Sequence, residues 1–342
     1  MLWSFYGVPL VAIALAAQTP PAQEPRFGDR VDVERVLLDV RVVDSYGQPV
    51  RGLVRDDFRV EVGGHPVALE WAQWVEGERP YAEGLTPPAA ADVQALPAPE
   101  GRLIVFFFQK DLESSRIGGL LRMQREALKL AQGLEPQDRV AVASFDSHLK
   151  LWLDFTRNRE ALEHALTRSI MFESRPHPTP EPYPSLLTHY DAEDGRRAAN
   201  AETGLLVLGR ALGELPGAKS LVLFGWGLGR MQGRSGVHAE PEYGPAVEAL
   251  YAARTTVFAL DVTEADYHSL EVGLERVAED TGGFYAKTHL FPSQAIRRLE
   301  RALEGHYVLT FTKPDLPPGE HAIDIALVGR KGTVLARPSY VG

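Results

Sequence analysis

Cysteine is absent from the 342 residues of this chain, and several kinds of chemistry are excluded with it. Disulfide bonds, thiolate catalysis, cysteine-bound zinc and lipid attachment through cysteine all need that side chain. An excess of positive charge is absent too, since 36 Lys and Arg stand against 46 Asp and Glu and the formal net charge is −10. A surface that binds nucleic acid or anionic lipid needs a basic footprint, so we expect neither kind of partner.

The first 17 residues are largely apolar, as in a signal peptide, but they lack the Lys or Arg that such peptides usually carry at their start. Ala14-Leu15-Ala16 has the small-x-small form of a signal-peptidase site, and the stretch is short for a membrane span. We therefore predict a signal peptide at residues 1–17 and a secreted or periplasmic protein with no membrane span after cleavage. An uncleaved anchor or a wrongly assigned start is the alternative.

Residues 103–108 are six apolar residues in a row, with a polar turn after them. A run this short predicts a strand that is buried on both faces, as at the centre of a parallel sheet. The residues that follow include two acids and two hydroxyl side chains, namely Asp111, Glu113, Ser114 and Ser115. Because ligands of open α/β sheets bind outside the carboxyl ends of the strands, these four residues are the first candidates for a site.

Helical and strand periods alternate from residue 102 to residue 305, which predicts a doubly wound α/β domain with a mostly parallel sheet. In residues 149–155, Leu or Phe alternates with Lys150, Trp152 and Asp154, and this pattern predicts a half-exposed antiparallel edge strand. A proline-rich stretch at 173–197 predicts a long extended loop, and long loops in compact domains often carry function. Asp261 ends a later strand on the same side as the first candidates.

The two ends of the chain contain strand patterns without helices. Residues 31–75 predict three strands, residues 306–342 predict further antiparallel strands, and residues 76–101 are rich in Pro, Ala and Glu, as in a linker. Because neither end alone buries enough apolar surface, we expect both to pack together. The predicted fold is thus an α/β domain flanked by a small antiparallel β domain that is split between the chain ends.

Several phrases of the sequence resemble the von Willebrand factor type A family. Residues 135–145, Glu-Pro-Gln-Asp-Arg-Val-Ala-Val-Ala-Ser-Phe, are similar to the second strand of that family, and residues 219–227 stand where it has its fourth. The leader at 42–53 and the segments 307–314 and 337–340 resemble a secreted bacterial subfamily, the von Willebrand A-related acidobacterial domains. The resemblance implies a Rossmann-like fold and a non-enzymatic, extracytoplasmic interaction domain.

The resemblance also implies a metal-ion-dependent adhesion site, where oxygen ligands hold Mg²⁺ and a partner supplies a carboxylate. Carried onto this sequence, the family motif of Asp-x-Ser-x-Ser, a Thr and a final Asp makes Asp111, Glu113, Ser115 and Thr203 the candidate ligands. Trp226 stands at the position of the final Asp, and an indole cannot ligate Mg²⁺.

Three interpretations of this site stay open. In the first, the site is degenerate, no cofactor binds, and the face binds a protein partner with Trp226 as an apolar anchor. In the second, Glu113 replaces the lost carboxylate and the chain is a Mg²⁺-dependent adhesin with a rearranged site. In the third, the acids are only solvated turn residues at a helix start. The candidate binding face consists of Asp111, Glu113, Ser114, Ser115, Thr203, Trp226 and Asp261.

Other patterns give weaker hypotheses. The Gly-x-Gly-x-Gly at 225–229 lacks the third glycine that a nucleotide-binding loop has at its proper spacing. Ser144, Asp146 and His148 are close in sequence, but a hydrolase of the Gly-x-Ser-x-Gly type would need that motif, which is missing. The His and acidic residues within 173–197 repeat no metal-ligand spacing. We therefore predict that the chain is not an enzyme, with a hydrolase as the remaining alternative.

Overall fold

The computed structural model describes residues 34–76, 79–80, 100–111, 113–172, 175–232 and 236–342. The predicted signal peptide lies outside these residues, as does most of the predicted linker. The side chains of residues 79, 80, 114, 115 and 169 lie outside the description as well. Among the described residues, no helix combines the length and the apolar character that a bilayer crossing requires.

The secondary structure alternates strands and helices through the middle of the chain and has strands alone at both ends. The strands are β1 (Arg35–Val43), β2 (Phe58–Val62), β3 (His65–Val67), β4 (Leu69–Glu76), β5 (Arg79–Pro80), β6 (Leu103–Gln109), β7 (Arg139–Phe145), β8 (Leu149–Thr156), β9 (Lys219–Gly225), β10 (Arg230–Met231), β11 (Val237–His238), β12 (Thr255–Asp261), β13 (Tyr285–Lys287), β14 (His306–Thr312), β15 (Glu320–Leu327), β16 (Thr333–Leu335) and β17 (Ser339–Val341). The helices are α1 (Ser114–Gly133), α2 (Arg159–His164), α3 (Ile170–Phe172), α4 (Ala192–Arg197), α5 (Ala201–Gly213), α6 (Tyr243–Ala252), α7 (Glu271–Asp280) and α8 (Pro292–Leu303), with a π-helical turn at Ala165–Ser169 between α2 and α3.

The central sheet has six strands in the order β13-β12-β9-β6-β7-β8. All neighbours are parallel except β8, which runs antiparallel to β7 at one edge. The predicted central strand is β6, and every one of its residues is buried. From β6 the chain moves out to β7 and β8 and then crosses to β9 on the other side. The strand order therefore reverses between β6 and β9, which is where open α/β sheets bind ligands.

Two apolar cores cover the two faces of this sheet. One core joins the sheet to α5, α6 and α7 through residues such as Leu208, Leu250 and Leu274. The other joins it to α1, α2 and α8 through residues such as Met123 and Leu299. Because both faces are covered, the inner strands are continuous apolar runs, and this pattern is what made them recognisable in the sequence.

The predicted antiparallel edge strand is present as β8, but the prediction that one of its sides is exposed was wrong. Lys150, Trp152 and Asp154 of β8 are buried, with exposed fractions of 9%, 5% and 1%. Trp152 packs into the core beneath α2, and its Nε1 donates to Ser144 Oγ at 2.7 Å. Asp154 binds the proline-rich segment instead of water. The polar residues of the alternating pattern therefore face protein, which the pattern alone could not distinguish from solvent.

The strands from both ends of the chain form two further sheets. Strand β14 lies between β1 and β4 in a sheet of order β16-β1-β14-β4-β5, and β15 pairs with β2 in a sheet of order β17-β15-β2-β3. The three predicted N-terminal strands thus divide between two sheets. A shared apolar core includes Leu38, Phe58 and Tyr307. The assignment of these strands to a separate split domain, with the bounds predicted above, stays a prediction.

A largely buried ionic cluster connects these strands to the central sheet. Arg254, in the turn before β12, forms an ion pair with Asp39 of β1, and His306 Nε2 lies 3.3 Å from Asp39 Oδ1. Burial would raise the pKa of Asp39, but the charge of Arg254 and the contact with His306 overcome this effect and hold the pKa well below its usual range. Burial lowers the pKa of His306 against the opposing effect of Asp39.

Candidate functional site

Asp111 lies two residues after β6, at the reversal point of the sheet. Its Oδ1 accepts a hydrogen bond from the backbone N of Glu113 at 2.9 Å, which closes a tight turn ahead of α1. Its Oδ2 is bound by Nη1 of Arg116. Both carboxylate oxygens are therefore engaged within the protein.

Arg116 is the residue that joins the candidate site together, and it is not among the residues predicted from the sequence. Besides Asp111, its guanidinium contacts Glu113 at 3.4 Å and stacks over the ring of Trp226 at 3.8 Å from the ring centroid. The side chain of Arg116 is 24% exposed and that of Glu113 is 56% exposed. The spacing of Glu113 and Arg116 by three residues at a helix start was the signal that could have revealed the pair.

Trp226 is held in place by the end of the central strand. Gln109, which is 4% exposed, accepts hydrogen bonds at Oε1 from the backbone N atoms of Trp226 and Gly227, at 3.0 and 3.2 Å. Its Nε2 donates to Gly227 O at 2.8 Å. The backbone N of Gly229 binds the buried carboxylate of Glu202, whose pKa is raised by burial. Three amide groups that a phosphate would need are thus already used by side chains, which argues against the nucleotide hypothesis.

Thr203 lies in the first turn of α5, but its hydroxyl is directed to a neighbour. Thr203 Oγ1 donates to Asn200 Oδ1 at 2.7 Å, and the same oxygen accepts from the backbone N of Thr203 at 2.8 Å. Asn200 is the N-cap of α5. The side chains of Ser114 and Ser115 lie outside the described part of the structure. The roles of Thr203 and Ser115 as metal ligands stay predictions, as does the place of Ser114 on the binding face.

Asp261 ends β12 and is 1% exposed. Its Oδ2 lies 2.8 Å from His268 Nε2 and accepts from Tyr285 OH at 2.7 Å, while its Oδ1 accepts from the backbone N of Thr263 at 2.9 Å. Glu271 lies beside this group, with Oε2 at 3.5 Å from Tyr285 OH. Burial, together with the hydrogen bond and charge of Asp261, raises the pKa of Tyr285 far above its usual range.

The proline-rich segment is fixed to the edge of the sheet by Asp154. Its two carboxylate oxygens accept five hydrogen bonds, at 2.6–3.1 Å, from Phe155 N, Glu181 N, Ser185 Oγ, Leu186 N and Leu187 N. At the other end of β8, Tyr190 OH donates to Leu149 O at 3.1 Å. The segment therefore packs against β8, the edge strand of the sheet, on the side where no further strand pairs with it.

The predicted hydrolase residues do not form a catalytic group. Ser144 is fully buried and its hydroxyl accepts from Trp152, as described above. His148 Nδ1 contacts Ser147 Oγ at 3.0 Å, and Asp146 binds Lys150 rather than His148. Ser144, the candidate nucleophile, is therefore not hydrogen-bonded to His148 or Asp146, as acyl-transfer chemistry at that serine would require.

No known protein-family profile and no curated protein sequence match this chain. Among solved structures, a von Willebrand factor type A protein from Catenulispora acidiphila matches with a TM-score of 0.42 and 10% identity, over 90% of this chain and 72% of that one. Proximal thread matrix protein 1 from the mussel byssus matches with a TM-score of 0.41 and 12% identity, over 60% of this chain and about half, 49%, of that one.

A third match is the structure of three N-terminal domains of the type V pili tip protein Mfa5 from Porphyromonas gingivalis. Its TM-score is 0.40 and its identity is 10%, over 90% of this chain and 66% of that one. These likenesses concern the fold alone. The acidobacterial-type subfamily stays a prediction. The central sheet, with its antiparallel edge strand, has the order of strands and helices that the sequence predicted for it.

Proposed function

We propose that this chain is a non-enzymatic protein-interaction domain that acts outside the cytoplasm, and that its adhesion-type metal site is degenerate. The observation that carries the proposal is the position of Arg116. Its guanidinium binds the carboxylate that would be the first metal ligand, so the positive charge of the site is supplied by a side chain of the protein itself.

The residues present do not fit a Mg²⁺ ion held in the manner of the family. Mg²⁺ requires near-octahedral oxygen ligands at about 2.1 Å. Both oxygens of Asp111 are engaged, the hydroxyl of Thr203 is directed to Asn200, and Trp226 stands where the family has a carboxylate. Glu113 is bound to Arg116 and exposed. An ion would have to displace a guanidinium that two carboxylates and an indole ring hold in place.

The same edge of the sheet has the character of a protein-binding surface. Arg and Trp are the residue types most enriched at the energetic centres of interfaces, and here they stack on each other. The loops that follow β12 and β13 leave the sheet at this edge. They contain the exposed apolar side chains Tyr267, Leu290 and Phe291, with exposed fractions of 69%, 64% and 60%.

Calorimetry with Mg²⁺ tests the degenerate site. Titration of the full chain with Mg²⁺ to about 10 mM, well above typical site affinities, should give no binding heat beyond dilution. Asp111→Asn is the matched control and should be indistinguishable from the wild type. A saturable heat in the wild type that disappears in Asp111→Asn would contradict the proposal and support the alternative, a Mg²⁺-dependent adhesin with a rearranged site.

Site-specific crosslinking tests the binding face. A photoreactive amino acid at position 113, which is exposed, should give protein adducts in a bacterial envelope extract, and Trp226→Ala should remove them. The control is the same amino acid at position 125, which is exposed in α1 about three turns beyond position 113. Equal adducts from both positions, or adducts that survive Trp226→Ala, would show that this face is not the binding surface.

A further inference from the structure

A second group of candidate ligands lies one strand away from the Asp111 site. Asp261 ends β12, His268 follows in the next loop, and Glu271 begins α7. Each offers a ligand atom, and these atoms all lie within 4.8 Å of one another. Strand β9 separates this group from β6 and Asp111. We propose that Asp261, His268 and Glu271 bind one divalent transition-metal ion, for which Zn²⁺ is the best-suited probe.

The three side chains have the donor set that such an ion prefers. Imidazole nitrogen and carboxylate oxygen bind Zn²⁺ at about 2.0–2.2 Å, usually in a tetrahedral arrangement. Donor atoms around a tetrahedral ion are therefore roughly 3.3–3.6 Å apart, which small side-chain movements can produce here. An imidazole among only three ligands favours zinc over Mg²⁺ or Ca²⁺, since those ions need six or more oxygens.

The surroundings orient these donors as the neighbours of metal ligands do. The backbone N of Thr263 binds Asp261 Oδ1, which leaves Oδ2 turned toward His268. Tyr285 OH lies 2.7 Å from Asp261 Oδ2 and 3.5 Å from Glu271 Oε2, beside both carboxylates. Asp261 and Glu271 are only 1% and 9% exposed, whereas the His268 side chain is 20% exposed and provides a route of entry. The hydroxyl of Thr263, 7% exposed, has no hydrogen-bond partner among the described residues.

Lys287 is the competitor that an entering ion must displace. Its Nζ lies 2.9 Å from Glu271 Oε2 and also donates to the carbonyl of Asp266. The side chain is 35% exposed, so the ammonium group can move into water. Asp261 and Glu271 carry two negative charges between them, and Lys287 balances one. A divalent ion that replaces the ammonium would neutralise both. Because of this competition, removing the ammonium group should raise the affinity for the metal ion, whereas removing a ligand should lower it.

The experiment is a titration of metal-free full chain with Zn²⁺ by calorimetry, repeated with Co²⁺ by visible absorption. The wild type should bind one equivalent of Zn²⁺, and Co²⁺ should give the absorption bands of a tetrahedral ion. His268→Gln should weaken Zn²⁺ binding at least about tenfold. Lys287→Met should strengthen it about tenfold, because it removes the competing charge. His65→Gln, a change at an exposed histidine of the chain-end sheets, should leave the affinity unchanged.

Each other outcome overturns the proposal. Absence of binding at about 100 μM Zn²⁺, a concentration far above that needed by structural zinc sites, would show that the residues form only a hydrogen-bonded network. Binding that is equally strong in His268→Gln would place the ion elsewhere. Should His268→Gln fail to fold, Lys287→Met decides alone, since an unchanged or weaker affinity in that variant contradicts the competition. Neither variant touches Asp111, so this result is independent of the proposed function.

Discussion

The attachment of the proline-rich segment by a single buried carboxylate leads to a sharp prediction for Asp154→Asn. In the native protein two oxygens accept five hydrogen bonds, four of them from residues 181–187. An asparagine of the same shape keeps one acceptor oxygen and turns an NH₂ group toward the other donors. If the oxygen stays with Phe155 N, Leu186 N and Leu187 N, the NH₂ group faces Glu181 N and Ser185 Oγ.

The expected loss of stability follows from this exchange. Hydrogen bonds to a charged acceptor contribute about 1.5–3 kcal/mol each, and a buried donor without a partner costs about 1–3 kcal/mol. The Ser185 hydroxyl can rotate and accept from the new amide, so the loss is concentrated at Glu181. Together with the weaker bonds to the neutral oxygen, we expect the free energy of unfolding to fall by about 3 kcal/mol.

Hydrogen exchange combined with urea unfolding measures both the size and the location of this effect. If the segment opens locally, amide exchange at residues 186 and 187 should become about a hundredfold faster, which corresponds to that energy. Asp191→Asn is the matched control, because Asp191 caps α4 through backbone N atoms and Asn caps equally well. Unchanged exchange at these amides in Asp154→Asn, or an equal effect in the control, would refute the reasoning.

Two further predictions concern packing and pH. Gly119→Ala would place its Cβ 1.6 Å from a backbone carbonyl oxygen and should lower the free energy of unfolding in urea by about 3 kcal/mol. Gly133→Ala in the same helix meets nothing within 4 Å and should raise this free energy by up to about 1 kcal/mol. Equal effects of the two changes would contradict the close approach at Gly119. The pKa values of Asp39 and His306 are both lowered in the folded state, so the unfolded chain binds more protons than the folded chain. The stability that these two groups contribute is therefore lost as the pH falls. The loss begins below about pH 6.5 for the histidine and below about pH 3.9 for the acid. His306→Gln should remove the loss of unfolding free energy that the histidine causes, which is up to about 1.4 kcal/mol per pH unit between pH 7 and pH 5. His65→Gln is the control and should keep this loss. If the unfolding free energy of His306→Gln depends on pH as that of the wild type does, His306 is not a buried neutral histidine.

Much of the central fold was predictable because its signals are local. A run such as 103–108 cannot be placed except between two layers, and all seven residues of β6 are indeed buried. Asp111 and Trp226 follow neighbouring strands, and the reversal of strand order puts both at one edge of the sheet. The sequence thus indicated where to look for a site.

What the predictions missed were partners that come from distant parts of the chain. The alternation in β8 did not indicate what covers Trp152 and Asp154, and the protein elements that cover them come from residues 159–172 and 181–187. The group around Asp261 includes Tyr285, 24 residues further along the chain. Such contacts leave no period in the sequence.

By itself, the sequence determined the order of strands and helices in the central sheet and the buried central strand. It also led to the prediction that Trp226 stands where an adhesion motif would have its final acid. Only the tertiary structure decided which charges meet: that Arg116 turns back to bind Asp111 while it stacks on Trp226, and that Asp261, His268 and Glu271 converge. The physical reason is that burial and backbone periodicity are properties of a residue and its near neighbours. The partner of a charged side chain depends instead on its rotamer and on the packing of elements that are remote in the chain.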